Sequence, residues 1–362
     1  MKHLSILNAI ILAAAALMAS FQNCYACTGI TLKAKDGSTV VARTIEWAAS
    51  DNDCRWVVVP RGHSWKSFIP GGGTGRSFTN VYGYVGVSVV QDELMMEGMN
   101  EKGLSAGLFY FPDYGQYQEY SRSEAYKSVA DLQLVSYILG SCANVDDVKR
   151  AISNIRVHAL DPRASTVHWR FTEPSGRQIV LEIIDGKCVF YENELGVLTN
   201  SPSLDWHLTH LNNFVNLNPG KVASNKIGNM ELKAFSGGTG LRGLPGDFSS
   251  PSRFVRAAFF QSSAPVKEKA EDTVAQAFHI LNNFDIPIGS QYAQGETPAD
   301  IPSATQFTAA SDLSGRKLYY RTMHNSSIRC IDLNKINFSK AKFVSRPLDE
   351  TLKEKIVMVN PQ

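Results

Sequence analysis

Over the first third of the chain, apolar and polar residues alternate in short runs that break at turn residues. The runs Thr28 to Ala34, Ser38 to Trp47, Trp56 to Pro60, Tyr82 to Val90 and Met95 to Phe111, the last interrupted at Asn100 to Gly103, predict strands. From about Ser128 to Asn154 the spacing changes to three and four. Val129, Leu132, Leu134, Val135, Ile138, Leu139, Val145, Val148 and Ile152 predict two helices joined near Ser141. Strands return at Val167 to Thr172 and Ile179 to Ile184, around the turn Pro174-Ser175-Gly176, and again at Cys188 to Tyr191 and Gly196 to Thr199. Helices follow at Leu204 to Val215, Arg253 to Gln261 and Val266 to Asn282, and the closing strands are Ala304 to Ala310, Lys317 to Thr322 and Ile328 to Asp332.

Strands first, helices in the middle and strands last describe an α+β layered domain whose sheets are completed by both ends of the chain. No stretch has the composition of a linker and no repeat of 20 to 50 residues is visible, so everything after the N-terminal segment reads as a single domain, residues 27–362. That N-terminal segment differs from the rest. Lys2 and His3 precede an apolar run from Leu4 to Ala19, and Cys24 and Ala26 are the small residues a signal peptidase reads, which predicts a signal peptide over residues 1–26 and export. The run is too short for a confident spanning helix.

Composition narrows the function classes. With 362 residues, 44% of them hydrophobic and 19% charged, the chain is an ordinary globular protein. Its 36 basic and 34 acidic residues form no like-charge block, which leaves no electrostatic footprint for nucleic acid or an anionic membrane. The glycine clusters Gly71-Gly72-Gly73 and Gly237-Gly238 lack the residues of a phosphate cradle and read as loops.

The chemistry then rests on the six cysteines. Cys24 leaves with the signal, and Cys54, Cys142, Cys188 and Cys330 read as small buried hydrophobes with room for one disulfide. Cys27 becomes residue one. Its thiol and its own α-amino group then share one carbon neighbourhood, giving a nucleophile and a base in a single residue. A free α-amine titrates at about 7.7 to 8.0 and a thiol at about 8.5, so the proton transfer between them costs little near neutral pH. His207 and His210 stand three apart on a predicted helix, but nothing with ligand chemistry is spaced to join them, so they read as surface or core residues. A lipid-anchored Cys27 would want an aliphatic residue where this chain has Cys24.

Five segments in order resemble the choloylglycine hydrolase and penicillin V acylase family of N-terminal nucleophile hydrolases. They are Cys27-Thr28-Gly29, Arg43-Thr44-Ile45-Glu46-Trp47, Met99-Asn100-Glu101-Lys102-Gly103-Leu104, Leu198-Thr199-Asn200-Ser201-Pro202, and Leu244-Pro245-Gly246-Asp247 through Ser250-Pro251-Ser252-Arg253-Phe254-Val255-Arg256. The resemblance runs from Cys27 to about Asp332 and implies a four-layer αββα sandwich, hydrolysis of linear amides and no cofactor or metal. It assigns Cys27 as nucleophile, Arg43 beside its thiolate, Arg253 to the site's charge network, and Asn200 with the Tyr110 backbone N–H to the oxyanion hole. Glu46 stands where the family usually has Asp, and its carboxylate is expected to hydrogen-bond the α-amine. Tyr110 resembles the penicillin V acylases, whereas bile salt hydrolases often carry Asn there. The partner expected is a small N-acyl amide, with penicillin V as the first reading and conjugated bile salts and N-acyl homoserine lactones behind it. Phe109, Phe111, Tyr114 and Tyr117 are candidates for an acyl pocket. The segment Asn216 to Leu241 resembles a family loop used in tetramer assembly and points to a homotetramer. A reading of another class is an inert exported binding protein or lipoprotein on the same scaffold.

Overall fold

The computed structural model describes residues 25–47, 53–70, 72–161, 164–287, 290 and 305–361. Of the expected signal segment, residues 1–24 lie outside the described residues, and so does the start of the strand expected at Ala304. In chain order the strands are β1 (Tyr25–Lys33), β2 (Thr39–Trp47), β3 (Arg55–Val59), β4 (Ser64–Phe68), β5 (Thr74–Thr79), β6 (Tyr84–Val89), β7 (Gln91–Asn100), β8 (Ser105–Tyr110) and β9 (Ser128–Ala130). Helices α1 (Leu134–Ser141) and α2 (Val145–Ser153) follow, then β10 (Arg156–His158), β11 (Val167–Thr172), β12 (Gln178–Ile184) and β13 (Lys187–Glu192). The remainder comprises α3 (Leu204–His210), β14 (Asn225–Ile227), β15 (Met230–Leu232), α4 (Ser250–Ser263), α5 (Ala270–Leu281), β16 (Thr305–Asp312), β17 (Lys317–Thr322), β18 (Asn325–Asp332) and β19 (Val344–Pro347).

Two antiparallel sheets carry the fold. One has the order β1-β2-β16-β17-β18, and the other β13-β12-β11-β8-β7-β6-β3-β19. Their facing sides share one core, in which Val41, Ile45 and Phe307 of the first sheet meet Val85, Val87 and Met99 of the second; α1 covers the far side of the second sheet with Leu134, Val135, Ile138 and Leu139, against Leu108 and Trp169. A second core lies between the first sheet and helices α4 and α5, built from Ile30, Leu32, Val40 and Ala42 against Phe254, Ala257, Val274 and Phe278. Helix, sheet, sheet, helix is the four-layer sandwich expected from the sequence. β2 shows no polar face as a result: both its faces are buried along its whole length, Arg43, Thr44 and Glu46 included.

Several elements depart from the pattern. Ser128–Ala130 forms a parallel pair with Arg156–His158 rather than opening a helix, since Val129 has a strand partner within reach once α1 and α2 fold back. The helix expected to run to Val215 ends at His210 and tightens into a 3-10 turn to Phe214. The strand expected at Gly196 to Thr199 is a single bridge, Leu198 to Gly29, on the otherwise open edge of β1. The hairpin of β4 with β5 and the edge strand β19 have too few alternating apolar positions to show in the sequence. Among the described residues no two cysteines pair in a disulfide; Cys142 is buried as expected, but Cys330 is exposed, because it sits on the edge strand β18.

Gly29 marks where the layers come closest. A Cβ there would lie 2.8 Å from Phe109 Cζ and 2.9 Å from Arg170 Nη1, both of them buried side chains. Gly29→Ala should therefore destabilise the fold by about 1 to 3 kcal/mol, the usual cost of overpacking. Urea melts of the two proteins check this, and equal midpoints would mean that β1 does not approach β8 so closely.

Candidate active site

The hairpin that joins β1 to β2 decides what surrounds Cys27. Its turn is Asp36-Gly37: Gly37 takes φ +87°, and Asp36 Oδ1 accepts from the Ser38 N–H at 2.9 Å. A turn this tight leaves one register, with Cys27 opposite Ile45, Gly29 opposite Arg43, and Ala26 opposite Glu46. Opposed residues share a face and neighbours alternate. Cys27 and Arg43 thus point to the sheet-to-sheet side, and Glu46 and Thr28 to the side covered by α4.

The Cys27 thiol is nearly sealed, at 7% exposure. Burial pushes its pKa up; the Arg43 guanidinium opposes this most strongly, Glu46 adds to it, and Arg253 together with a hydrogen bond from the Tyr110 N–H pulls the other way. Arg253 comes from α4 and spans the strand: Nη1 donates to the Cys27 carbonyl and to Thr28 Oγ1, Nη2 donates to Asn200 Oδ1 at 2.7 Å, and Nε to the Phe248 carbonyl at 2.8 Å. The helix can offer this arginine because it opens on Ser250-Pro251, with proline's missing N–H falling where no intrahelical bond is made.

Arg43 belongs to a buried triad that the sequence pattern did not single out. Glu97 Oε2 stands 3.5 Å from Arg43 Nη1, and Glu97 Oε1 accepts from Arg170 Nη2 at 3.1 Å and from Ser105 Oγ at 3.1 Å. Arg43 also donates to the carbonyls of Met96 and Leu108, and its Cζ lies over Phe109, 3.9 Å from the ring centroid. Phe109 is therefore a wall behind the arginine. The available signal was a lone charge inside an apolar strand, Glu97 in Leu94-Met95-Met96-Glu97-Gly98 and Arg170 in Trp169-Arg170-Phe171. Such a charge must find a partner once both faces of its strand are covered.

The remaining expected residues also converge here. Asn200 is carried to Cys27 by the Leu198 bridge to Gly29, and its Oδ1 accepts from the Cys27 nitrogen at 2.9 Å. Its Nδ2 donates to the Tyr110 carbonyl at 2.7 Å, which leaves one Nδ2 hydrogen unassigned. Tyr110 ends β8 and turns its phenol outward, onto Ser165 Oγ at 2.7 Å. Glu46 does not meet the Cys27 nitrogen in the chain that keeps Ala26. The Cys27 nitrogen here is the peptide nitrogen of Ala26-Cys27, with a single hydrogen, and that hydrogen goes to Asn200. Glu46 Oε1 instead accepts from Thr305 Oγ1 at 3.2 Å, while Oε2 is buried with no hydrogen-bond partner. Burial raises the Glu46 pKa to about 7 against the pull of Arg253, Thr44 and Arg43.

His207 is fully buried, with Nε2 2.9 Å from the Asn200 carbonyl, whereas His210 stacks on Trp206 at the surface. Phe111 stacks on His168 and Tyr117 is tied to Val167, so both are packing residues; Tyr114 is exposed. Among the described residues no three His, Cys, Asp or Glu side chains group as metal ligands, and no helix is long and apolar enough to cross a membrane.

The same architecture recurs in solved structures. A variant of the conjugated bile acid hydrolase of Clostridium perfringens superposes with a TM-score of 0.79 at 30% identity, covering 92% of this chain and all of that one. The penicillin V acylase of Agrobacterium tumefaciens superposes at 0.70 with 23% identity, over 89% of this chain and 91% of that one, a likeness of fold. In sequence, the bile salt hydrolase/transferase of Clostridium perfringens is 31% identical over 332 residues, 90% of this chain and 98% of that protein. The penicillin V acylase of Pectobacterium atrosepticum is 26% identical over 329 residues, 83% of this chain and 78% of that protein. Residues 27–348 match the family model of linear amide C-N hydrolases, choloylglycine hydrolase family. The match begins at Cys27, and with the shared sandwich it establishes that the chain is an enzyme belonging to the choloylglycine hydrolase family of linear amide C-N hydrolases.

Proposed function

We propose that the protein is exported, is cleaved between Ala26 and Cys27, and hydrolyses N-acyl amides of the penicillin V type through Cys27. The observation that carries this reading is the convergence on one sealed cysteine of Arg43, Arg253 and the Tyr110 N–H at its thiol and of Asn200 at its nitrogen. Cleavage converts the Cys27 amide into an amine with several hydrogens. One continues to meet Asn200 Oδ1; another is offered to the unpaired Oε2 of Glu46, which the strand register sets opposite the departing Ala26.

The amine takes the thiol proton, and the thiolate attacks the amide carbonyl. The resulting oxyanion is met by the Tyr110 N–H and the remaining Nδ2 hydrogen of Asn200, donors that gain most when the charge has formed. The α-ammonium then protonates the leaving amine and the C–N bond breaks, leaving a thioester on Cys27. Water, deprotonated by the same amine, attacks the thioester and releases the acid and the thiol. No cofactor enters these steps.

The leaning toward aryl and fatty acyl amides rests on Tyr110. A second reading, conjugated bile salts, is favoured by the 31% identity to the bile salt hydrolase/transferase. Assembly into a homotetramer is supported by the hairpin β14–β15 and the loop after it, which leave Ile227, Met230 and Phe235 at 66%, 61% and 102% exposure, too much apolar surface to stay bare. Sedimentation of the wild type should give four times the chain mass, and Met230→Asp with Phe235→Asp should give smaller species. A wild-type monomer would end the tetramer reading.

A mature protein beginning at Cys27 should be active, and one shown by mass to retain a preceding Met should be inactive on penicillin V, because its nitrogen is an amide without basicity. Equal rates would rule out the N-terminal mechanism. For substrate choice, Tyr110→Asn keeps the backbone donor and should leave kcat on a permissive amide within about tenfold while moving preference from penicillin V toward glycocholate. Steady-state kinetics on both substrates read this directly, and uniform loss on both by a folded variant would give the phenol a chemical role.

Glu46 makes a prediction of its own. In the chain that keeps Ala26, its pKa is raised from 4.5 to about 7, so the folded state holds the proton more tightly than the unfolded state. The stability contributed by neutral Glu46 is full below pH 4.5 and lost as pH rises to about 7. Thermal midpoints of this chain should therefore fall relative to those of Glu46→Gln across that window, and parallel curves would mean that Glu46 ionises normally. In the mature enzyme Glu46→Gln should slow turnover strongly and Glu46→Asp should keep much of it.

A further inference from the structure

Asn200 is held by its main chain as firmly as by its side chain. Its N–H donates to Ser250 Oγ at 3.0 Å, and its carbonyl meets His207 Nε2 at 2.9 Å. A carbonyl can only accept, so Nε2 carries the ring proton and Nδ1, buried with no hydrogen-bond partner, does not. Burial pushes the His207 pKa down to about 4, which makes the ring a fixed neutral donor rather than an acid or base near pH 7. The ring is itself clamped, stacked on Phe254 at 4.6 Å and 11° and edge-on to Trp206 at 5.5 Å. Ser250 is held in turn by Thr199 Oγ1 at 3.0 Å. On the preceding residue, the Thr199 carbonyl lies 3.2 Å from His168 Nε2, and His168 Nδ1 lies 3.2 Å from Glu182, whose Oε1 also accepts from the Leu204 N–H at 3.0 Å.

We propose that His207 and Ser250 are positioning residues that fix the Asn200 peptide from both sides and so aim its Nδ2 at the developing oxyanion. The inference rests on the reading of Asn200 as an oxyanion donor. Such a donor works only if held within about 0.5 Å of its productive place. Three of the four side-chain bonding positions of Asn200 are taken by Cys27, Arg253 and Tyr110, and the Asn200 side chain cannot swing to a new site without breaking them. Among the described residues, the hydrogen bonds of the Asn200 main chain itself go to Ser250 and His207. Neither residue touches the reacting atoms, so each acts through Asn200.

The test is a double-mutant cycle on the mature enzyme with penicillin V, and with glycocholate in parallel, kcat being expressed per alkylatable Cys27 thiol so that misfolded material is not counted. His207→Phe keeps the stack on Phe254 and deletes the donor; it should lower kcat about tenfold to a hundredfold with little change in KM, part of the about 10² to 10³ expected for Asn200→Ala. His207→Gln returns an N–H near the Nε2 position and should recover most of the loss. In the Asn200→Ala background His207→Phe should cost less than about threefold, because the donor it positions is already gone. Ser250→Ala should behave in the same way and supplies the cycle if His207→Phe fails to fold. Full kcat in both His207→Phe and Ser250→Ala, or the same factor in both backgrounds, overturns the inference. If Asn200→Ala itself keeps full activity, the oxyanion reading fails instead, and if no amide is turned over by the wild type, the proposed function fails.

Discussion

Three guanidinium groups meet at the seam between the two sheets and helix α4, and none has access to water: Arg43, Arg170 and Arg253 are at most 2% exposed. Burying a cation without a partner costs several kcal/mol, so each must be answered by acceptors supplied from elsewhere in the chain. Glu97 answers two of them, standing between Arg43 and Arg170. Arg253 is answered by neutral oxygens of Cys27, Thr28, Asn200 and Phe248, and Glu46 is the carboxyl group that acts on it most strongly. This requirement ties β1, β7, β11 and α4 into one register, since a slip of one residue would turn a charge into a hydrocarbon layer.

The same economy of charge shapes the thiol's surroundings. Two positive groups flank Cys27 while one carboxylate, buried and reluctant to ionise, opposes them. A thiolate or an oxyanion formed there is therefore met by fixed groups rather than by solvent, which must reorganise. Asn200 is the hub through which this arrangement becomes specific. It touches the nucleophile's nitrogen, the second arginine and the last residue of β8 at once, and its own peptide is pinned by α3 and the first residue of α4. Cys27 and Asn200 are 173 residues apart, and Cys27 and Arg253 are 226 apart, so the site exists only when both cores have formed.

Much of this was legible before any coordinates. The strand periods and the two helices of the second half are local signals, and local backbone preference decides them. Where the reading missed, the deciding partner was distant: Ser128–Ala130 became a strand because Arg156–His158 lay beside it, and Gly196 to Thr199 was reduced to one bridge because only Leu198 reaches the edge of β1. The lone charges Glu97, Arg170 and Glu182 were visible inside apolar runs, yet nothing local says which partner each would take. His207 illustrates the limit. Its spacing from His210 gave no reason to separate them, but one points inward to Asn200 and the other stacks on a surface tryptophan.

By itself, then, the sequence determined the layered α+β architecture and the family to which the ordered motifs belong, because each depends on residues close in the chain or on a pattern of types. Only the tertiary structure decided that Glu46 faces Thr305 rather than the Cys27 nitrogen while Ala26 remains, that Glu97 is shared by two arginines, and that Asn200 is gripped by His207 and Ser250. The physical reason is that a buried polar group takes whichever partner the packing of apolar layers brings within about 3 Å, and that packing is settled by contacts made across the whole chain.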